Sequence, residues 1–238
     1  MFQPRLAAPA GTAVIFEGPL AGFGRTRVID GERPVLPLTE LLRDEVLARL
    51  LLQVYGAELV RDQLPVLASQ WMKYYAMQLI PPVVVASLVH GVSWSLSLDR
   101  LAFAVDERGV LDGVRFDGAA CALAPADEPF APLLENLRQV IERLSAYANV
   151  PAAVLWCTAG DYLETCLREL AAVSDVCLAP GHALLKEKLT PSGLRNPLFN
   201  AIRYTARRDG QSLRQRRTCC LSHRVAWVGR CEHCPLQV

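Results

Sequence analysis

The sequence predicts an α+β fold in which helices lie beside a small antiparallel β-sheet. Two patterns indicate this class. Apolar residues recur at helical spacing in both halves of the chain, whereas large apolar residues alternate with small or polar ones through 92–116, as in half-buried strands. The chain has 238 residues, 52% of them hydrophobic and 21% charged, so it is long and apolar enough to bury one large core.

We expect one domain over residues 1–238 with three sub-regions. Helices and the sheet occupy 1–116, a helical half occupies 129–210, and a cysteine-rich segment occupies 211–238. The irregular, Ala/Pro-rich stretch 117–132 separates the first two sub-regions. Nothing in the composition predicts a second independent domain.

The N-terminal third predicts short strands followed by helices. Residues 11–30 are typical of one or two strands with a turn at Gly18-Pro19. Caps, glycine stops and a proline suited to a first turn then mark three helices, which run from Thr39 to Gly56, from near Asp62 past Gln78, and from Pro82 to Gly91.

The alternating stretch predicts an antiparallel meander. Its strands are Val92–Leu98, Leu101–Val105 and Val110–Phe116, joined by turns at Asp99-Arg100 and Asp106–Gly109. Trp94 falls on the buried face of the first strand.

The second half predicts four helices. The first carries an apolar stripe from Leu134 to Ala148, the second begins at Pro151 with Gly160 as a kink or break, and the third covers 180–189. The last covers 197–209, with Asn196 as its cap, Pro197 in its first turn and Gly210 at its exit.

An uncharged stretch, 74–98, is long enough to span a bilayer. Pro81-Pro82 would break such a helix in its middle, and the residues after Gly91 alternate as in a strand. We therefore expect a broken helix followed by a strand, with no transmembrane span.

Four of the eight cysteines lie close together at the C-terminus, in the pattern C-C-x10-C-x2-C. They are Cys219, Cys220, Cys231 and Cys234. Four thiolates at such spacing are typical of a zinc or iron–sulfur site. Adjacent cysteines make poor zinc knuckles because neighbouring side chains diverge, so the spacing favours a 2Fe-2S cluster over one zinc ion. A disulfide clamp is the third interpretation, and no signal peptide supports it.

At these residues the chain resembles the siderophore-iron reductases typified by FhuF. The cysteine motif carries the resemblance, together with the segment from Asn196 to Arg217 and the stretch from Ser69 to Pro82. The resemblance implies a soluble bacterial oxidoreductase with a 2Fe-2S cluster on the four cysteines.

The implied activity is one-electron reduction of siderophore-bound ferric iron. A ferric siderophore, of hydroxamate type by the resemblance, is the implied substrate, and an external donor such as a ferredoxin supplies electrons. The expected location is cytoplasmic, with peripheral membrane association left open. A net charge of +1 argues against bulk nucleic-acid binding.

The C-terminal region is strongly basic. Residues 195–238 hold nine arginines and no lysine, against Asp209 and Glu232, an excess of seven positive charges. We expect part of this set to lie near the cluster, where positive charge favours reduction, and to meet an acidic donor or an anionic chelate; these residues are Arg203, Arg207, Arg214, Arg216 and Arg217. A solvated helix face is the simpler interpretation.

Three further residues fall inside or beside the motif. His223 and His233 could each replace a thiolate as a ligand, but because four thiolates are already present we expect them to donate hydrogen bonds to sulfur or to lie on the surface. Trp227 is expected to screen the cluster or to form a plain hydrophobic lid. The remaining cysteines, in apolar contexts, are expected to be small buried side chains; they are Cys121, Cys157, Cys166 and Cys177.

Two other functions remain open from the sequence alone. One is a zinc-stabilised module that binds a partner through its basic tail, which would be colourless. The other is an iron–sulfur redox sensor, which would not turn over with any ferric chelate.

Overall fold

The structure, a computed structural model, describes residues 14–29, 31–124, 128–206, 210 and 212–236. Its helices are α1 (Ala21–Gly24), α2 (Leu38–Leu41), α3 (Asp44–Leu88), α4 (Ala131–Ala148), α5 (Ala152–Ala171) and α6 (Ala179–Lys186). Its strands are β1 (Leu36–Pro37), β2 (Val92–Ser93), β3 (Leu101–Val105), β4 (Leu111–Phe116), β5 (Cys121–Ala122), β6 (Ile202–Ala206) and β7 (Ser212–Arg216). The α+β class is confirmed.

The long helix α3 organises the fold, and its backbone breaks where the sequence predicted. Gly56 has φ of 79° and Gln63 has φ of −133°, so α3 consists of three consecutive helical segments. The predicted cap at Thr39 is wrong. Thr39 lies inside α2, and α3 begins separately at Asp44 after Arg43 in an extended conformation.

The predicted break at Pro81-Pro82 is wrong, because α3 continues to Leu88. A proline inside a helix leaves the carbonyl four residues earlier without its usual donor. For Pro82 that carbonyl belongs to Gln78, and the Thr26 hydroxyl donates to it at 3.0 Å. This tertiary hydrogen bond offsets the loss. Within the described part of the chain, no helix is long and apolar enough to cross a membrane.

The N-terminal strands predicted in 11–30 are not formed by the described residues 14–29. A 3₁₀ turn at Gly18–Leu20 and the short α1 take their place, and only Arg27 forms a β-bridge, to Val114. Residues 11–13 and 30 lie outside the described ranges.

The sheet keeps two strands of the predicted meander. β3 and β4 pair antiparallel around the Asp106–Gly109 turn, as predicted, but the third strand is β1, which pairs with the other edge of β3. The predicted strand 92–98 is reduced to β2, which pairs with β5. Trp94 is buried as predicted and stacks on Phe116, with ring centroids 4.2 Å apart.

The helices of the second half are confirmed at α4, α5 and α6. Gly160 does not interrupt α5. It allows close approach instead, since a Cβ at Gly160 would lie 2.3 Å from the Cβ of Ala201. The backbone that leads to the cysteine motif therefore packs directly against α5.

The predicted helix 197–209 is wrong: this stretch contains β6, which pairs antiparallel with β7. Asn196 does not cap a helix. Its side chain accepts a hydrogen bond from the Leu198 N–H at 3.0 Å and donates to the carbonyls of Leu184 and Glu187, both at 2.8 Å. Gly210, with φ of 79°, lies between the two strands.

Candidate metal centre

The cysteine segment is tied to the fold at both ends. The backbone N–H of Arg216, at the end of β7, donates to the carbonyl of His233 at 2.9 Å. The hydroxyl of Ser69, on α3, donates to the carbonyl of Cys220 at 3.0 Å. The segment thus folds back along β7 and against α3.

A sharp bend follows the adjacent cysteines. Leu221 has φ of 66°, a left-handed conformation that is costly for a side chain of this size. Its N–H turns back to donate to the Cys219 sulfur at 3.3 Å. The bend allows both neighbouring sulfurs to face the same site, and a 3₁₀ turn at Ser222–Arg224 continues the chain.

The four sulfurs form two pairs. The Sγ atoms of Cys220 and Cys231 lie 3.5 Å apart, and Cys219 interacts with Cys234. Two sulfurs bound tetrahedrally at about 2.3 Å from one metal lie roughly 3.8 Å apart, so this spacing suits a shared metal. Cys220 and Cys234 are buried, and all eight cysteines of the chain are free thiols, so no disulfide clamp is present.

Among the described residues, no three His, Cys, Asp or Glu side chains are placed to hold a single metal ion. A two-iron cluster needs two sulfurs at each iron, and two pairs of cysteines supply that donor set.

The thiols of the first pair are hydrogen-bonded to each other. This hydrogen bond lowers the pKa of Cys220, helped by the Ser222 hydroxyl and the positive charge of Lys73. The same hydrogen bond raises the pKa of Cys231. Burial raises the pKa of Cys219.

Hydrogen-bond donors surround the sulfurs. The Ser222 hydroxyl lies 3.1 Å from the Cys220 sulfur, and Nδ1 of His223 lies 3.5 Å from the Cys219 sulfur. Arg216 is 1% exposed, and its Nε has no hydrogen-bond partner among the residues that the structure describes. A buried donor without a partner next to thiols is suited to an anionic group at that place.

Arg214 and Arg216 are buried on β7. The simpler interpretation, a solvated helix face, is therefore wrong for these two residues. Arg214 forms ion pairs with Asp161 at 2.7 Å and Glu164 at 2.5 Å, and Arg216 pairs with Asp161 at 3.3 Å. The Arg216 guanidinium also donates to the Thr158 hydroxyl at 2.6 Å. Their alternation on β7 turns both side chains towards α5.

The other predicted cations lie outside this buried group. Arg217 is exposed and donates to the carbonyl of Phe199 at 3.3 Å. Arg203 is exposed on β6, and Arg207 falls outside the described residues.

His233 has a defined tautomer. Its Nδ1 lies 2.6 Å from a guanidinium nitrogen of Arg214. A guanidinium only donates, so Nδ1 accepts and the ring proton of the neutral form lies on Nε2. Trp227 is 66% exposed and stacks on Tyr55 of α3, with ring centroids 5.9 Å apart.

The remaining cysteines differ among themselves. Cys166 and Cys157 are buried as predicted, but Cys121 and Cys177 are exposed, which corrects that prediction for them. Cys157 lies beside the motif, since its sulfur accepts a hydrogen bond from the Thr218 N–H at 3.3 Å.

Sequence reasoning missed the residues of α3 and α5 that complete the site. The cysteines are contacted by two residues of α3 that lie more than 140 positions earlier in the sequence, Ser69 and Lys73. Arg216 is contacted by two residues of α5 that lie more than 50 positions earlier, Thr158 and Asp161. The only local signal was the stretch beginning at Ser69, which carried the resemblance without a role for these side chains.

Two family descriptions match the chain. The family described as "Ferric iron reductase FhuF-like transporter" matches residues 69–212, and "FhuF 2Fe-2S C-terminal domain" matches residues 216–236, which include all four cysteines of the motif. No curated protein matches.

Among solved structures, aerobactin synthetase IucA from a hypervirulent pathotype of Klebsiella pneumoniae is similar, with a TM-score of 0.51 and 14% sequence identity. The match covers 69% of this chain and 37% of that chain, so the present chain spans well under two thirds of the synthetase. At this identity the likeness concerns the fold alone.

Proposed function

We propose, because this chain belongs to the FhuF-like ferric iron reductase family and has the family's 2Fe-2S domain, that it reduces siderophore-bound ferric iron by one electron. The observation that carries the proposal is the pairing of the four cysteines under a family match that spans more than half of the chain. Cys219, Cys220, Cys231 and Cys234 would hold the cluster.

The cluster, when bound, supplies the electron that ferric iron accepts. The chain's own residues set how readily that electron is held. A four-thiolate cluster carries negative charge that grows on reduction, and burial disfavours the added charge. Arg216 and Lys73 offset it with positive charge, while Ser222 and His223 donate hydrogen bonds to sulfur.

The substrate chemistry needs no general acid or base. Ferric ion is hard and is held tightly by siderophore oxygens, whereas ferrous ion is bound more weakly and can be released. The protein must hold the chelate close to the cluster and exclude side reactions. We propose a ferredoxin-like acidic donor, a cytoplasmic location and a hydroxamate siderophore on the strength of the family alone.

The deciding experiment combines iron and sulfide analysis of the purified protein with a test of ferric-siderophore reduction. We expect a reddish-brown protein with about two irons and two sulfides per chain. After anaerobic reduction, mixing with a panel of ferric siderophores should restore the oxidised visible spectrum while a ferrous chelator traps iron. A colourless protein with one zinc per chain would favour the zinc-stabilised module. A coloured protein that no ferric chelate oxidises would favour the redox sensor.

A further inference from the structure

A large cavity opens beside the cysteine segment. It has a volume of about 850 Å³ and lies between the first turns of α5, the segment 188–201 and Thr218. Small-molecule sites in proteins have volumes of about 300–1,000 Å³, so this cavity has room for a metal chelate.

The cavity lies next to the proposed cluster, because one of its lining residues is adjacent in sequence to a cluster ligand. Thr218, which lines it, directly precedes Cys219 and donates its N–H to the sulfur of Cys157, another lining residue. Arg217, also in the lining, donates its N–H to the carbonyl of Ala201 at 2.8 Å. A molecule in the cavity would therefore contact the backbone that carries the first cluster ligand.

The cavity is positively charged. Lys188, Arg195 and Arg217 line it, all three are exposed, and none forms an ion pair with a described residue. No carboxylate is among the described lining residues. A neighbouring cavity of about 630 Å³ shares Lys188 but is also lined by Glu128 and Glu187. Because none of the three cations forms an ion pair with a described carboxylate, all three are available to an anion.

The walls of the cavity are held in place. Asn196 is 3% exposed and fully engaged by its hydrogen bonds to Leu184, Glu187 and Leu198. The half-buried rings of Trp156 and Phe199 supply flat apolar faces. Such a mixture of fixed polar groups, aromatic faces and unpaired cations is typical of a preformed ligand site.

We infer that this cavity is the docking site of the ferric chelate and that, among the chelates it admits, its three cations favour those of net negative charge over neutral ones. The inference rests on the proposed function. In the step it serves, one electron passes from the reduced cluster to ferric ion, which becomes ferrous; no bond to the protein forms and no proton moves.

The test is anaerobic stopped-flow oxidation of the dithionite-reduced holoprotein by two probes. One is the anionic ferric complex of ethylenediaminetetraacetate, and the other is neutral ferric tris-acetohydroxamate. In the double variant Lys188→Gln/Arg195→Gln, the second-order rate constant for the anionic probe should fall about tenfold at low salt. The constant for the neutral probe should change less than about twofold, and added salt should shrink the difference.

A second variant separates docking from long-range attraction. Ala153 is exposed in the first turn of α5 and lines the cavity, so Ala153→Trp should fill it without changing charge. This variant should slow both probes. The charge control is Arg168→Gln, an exposed arginine in the last turn of the same helix and roughly 22 Å from Ala153 along it.

The outcomes distinguish the two proposals. If neither probe oxidises the wild-type protein, the proposed function fails. If both probes oxidise it and the cavity variants match the Arg168→Gln control, the function stands and the docking site is wrong. Equal slowing of both probes by the charge variants would overturn the selection of anionic chelates.

Discussion

Neighbouring cations at the end of β7 differ completely in their surroundings. Arg214 and Arg216 are buried and paired with carboxylates of α5, whereas Arg217 is exposed beside Lys188 and Arg195 at the cavity. We call the first two the inner arginines and the other three the outer cations. The inner arginines share Asp161 and join β7 to α5, so removing either one should destabilise the fold. The outer charges lack such partners and are available to a ligand.

The largest expected difference is between a cysteine inside the motif, Cys220, and a buried cysteine beside it, Cys157. Serine at Cys220 should abolish or strongly shift the visible absorption and lower the iron content, because Cys220 shares the proposed first iron with Cys231. The matched change Cys157→Ser, one hydrogen bond away from the motif at Thr218, should leave iron content unchanged. Iron and sulfide analysis of both variants measures the difference.

The other cysteines extend this control. Alanine at Cys121, Cys166 or Cys177 should also leave the iron content unchanged. Loss of iron in one of these folded variants would show that the ligand set is wrong.

The next contrast concerns stability. Arg216→Gln removes one partner of a buried ion pair and leaves Asp161 with less compensation, so we expect a loss of about 3–5 kcal/mol in the free energy of unfolding. Arg217→Gln, at an exposed neighbour, should change it by less than about 0.5 kcal/mol. Urea denaturation followed by far-ultraviolet circular dichroism measures both.

The double variant Asp161→Asn/Arg216→Gln tests the cause. If the ion pair carries the effect, the double variant should lose much less than the sum of the two single variants. Additive losses would mean that Arg216 acts through packing instead.

The cysteine ligands could be predicted from the sequence, whereas the surroundings of the inner arginines and the outer cations could not. The ligand set follows from a local pattern, because four cysteines within sixteen residues of sequence cannot lie far apart in space. The helices α4 and α5 follow from apolar stripes. In contrast, 197–209 carries the cap and stop signs of a helix and still contains β6, which pairs with β7 in a hairpin that places Arg214 and Arg216 against the carboxylates of α5.

Partners distant in sequence could not be predicted. Nothing in the sequence distinguishes Asp161 and Glu164 from other helix residues; only the placement of β7 beside them gives them a role. Similarly, the hydrogen bond that satisfies the Gln78 carbonyl at Pro82 comes from Thr26, 52 positions earlier. The cavity has the same origin, since α5, the segment 188–201 and Thr218 are brought together only by the tertiary fold.

A smaller contrast concerns the reduction potential. The charge of Arg216 acts on Cys220 and Cys231 from a buried position, where solvent screens it little. Arg216→Gln, where it folds, should lower the potential by about 40 mV, the equivalent of about 1 kcal/mol for one electron. Arg217→Gln should lower it by less, and salt should reduce that smaller shift. Potentiometric titration at two ionic strengths separates the two, and equal shifts would contradict the division into inner and outer charges.

The smallest expected effect concerns a neutral hydrogen bond to sulfur. The hydroxyl of Ser222 is buried and lies 3.1 Å from the Cys220 sulfur, where a donor stabilises the more negative, reduced state. Ser222→Ala should therefore lower the reduction potential, by less than Arg216→Gln does, because a neutral donor contributes less than a full charge. Ser222→Thr keeps the hydroxyl and should retain most of the wild-type potential. If alanine and threonine give the same potential, the Ser222 hydroxyl only shapes the turn after Leu221 and does not tune the cluster.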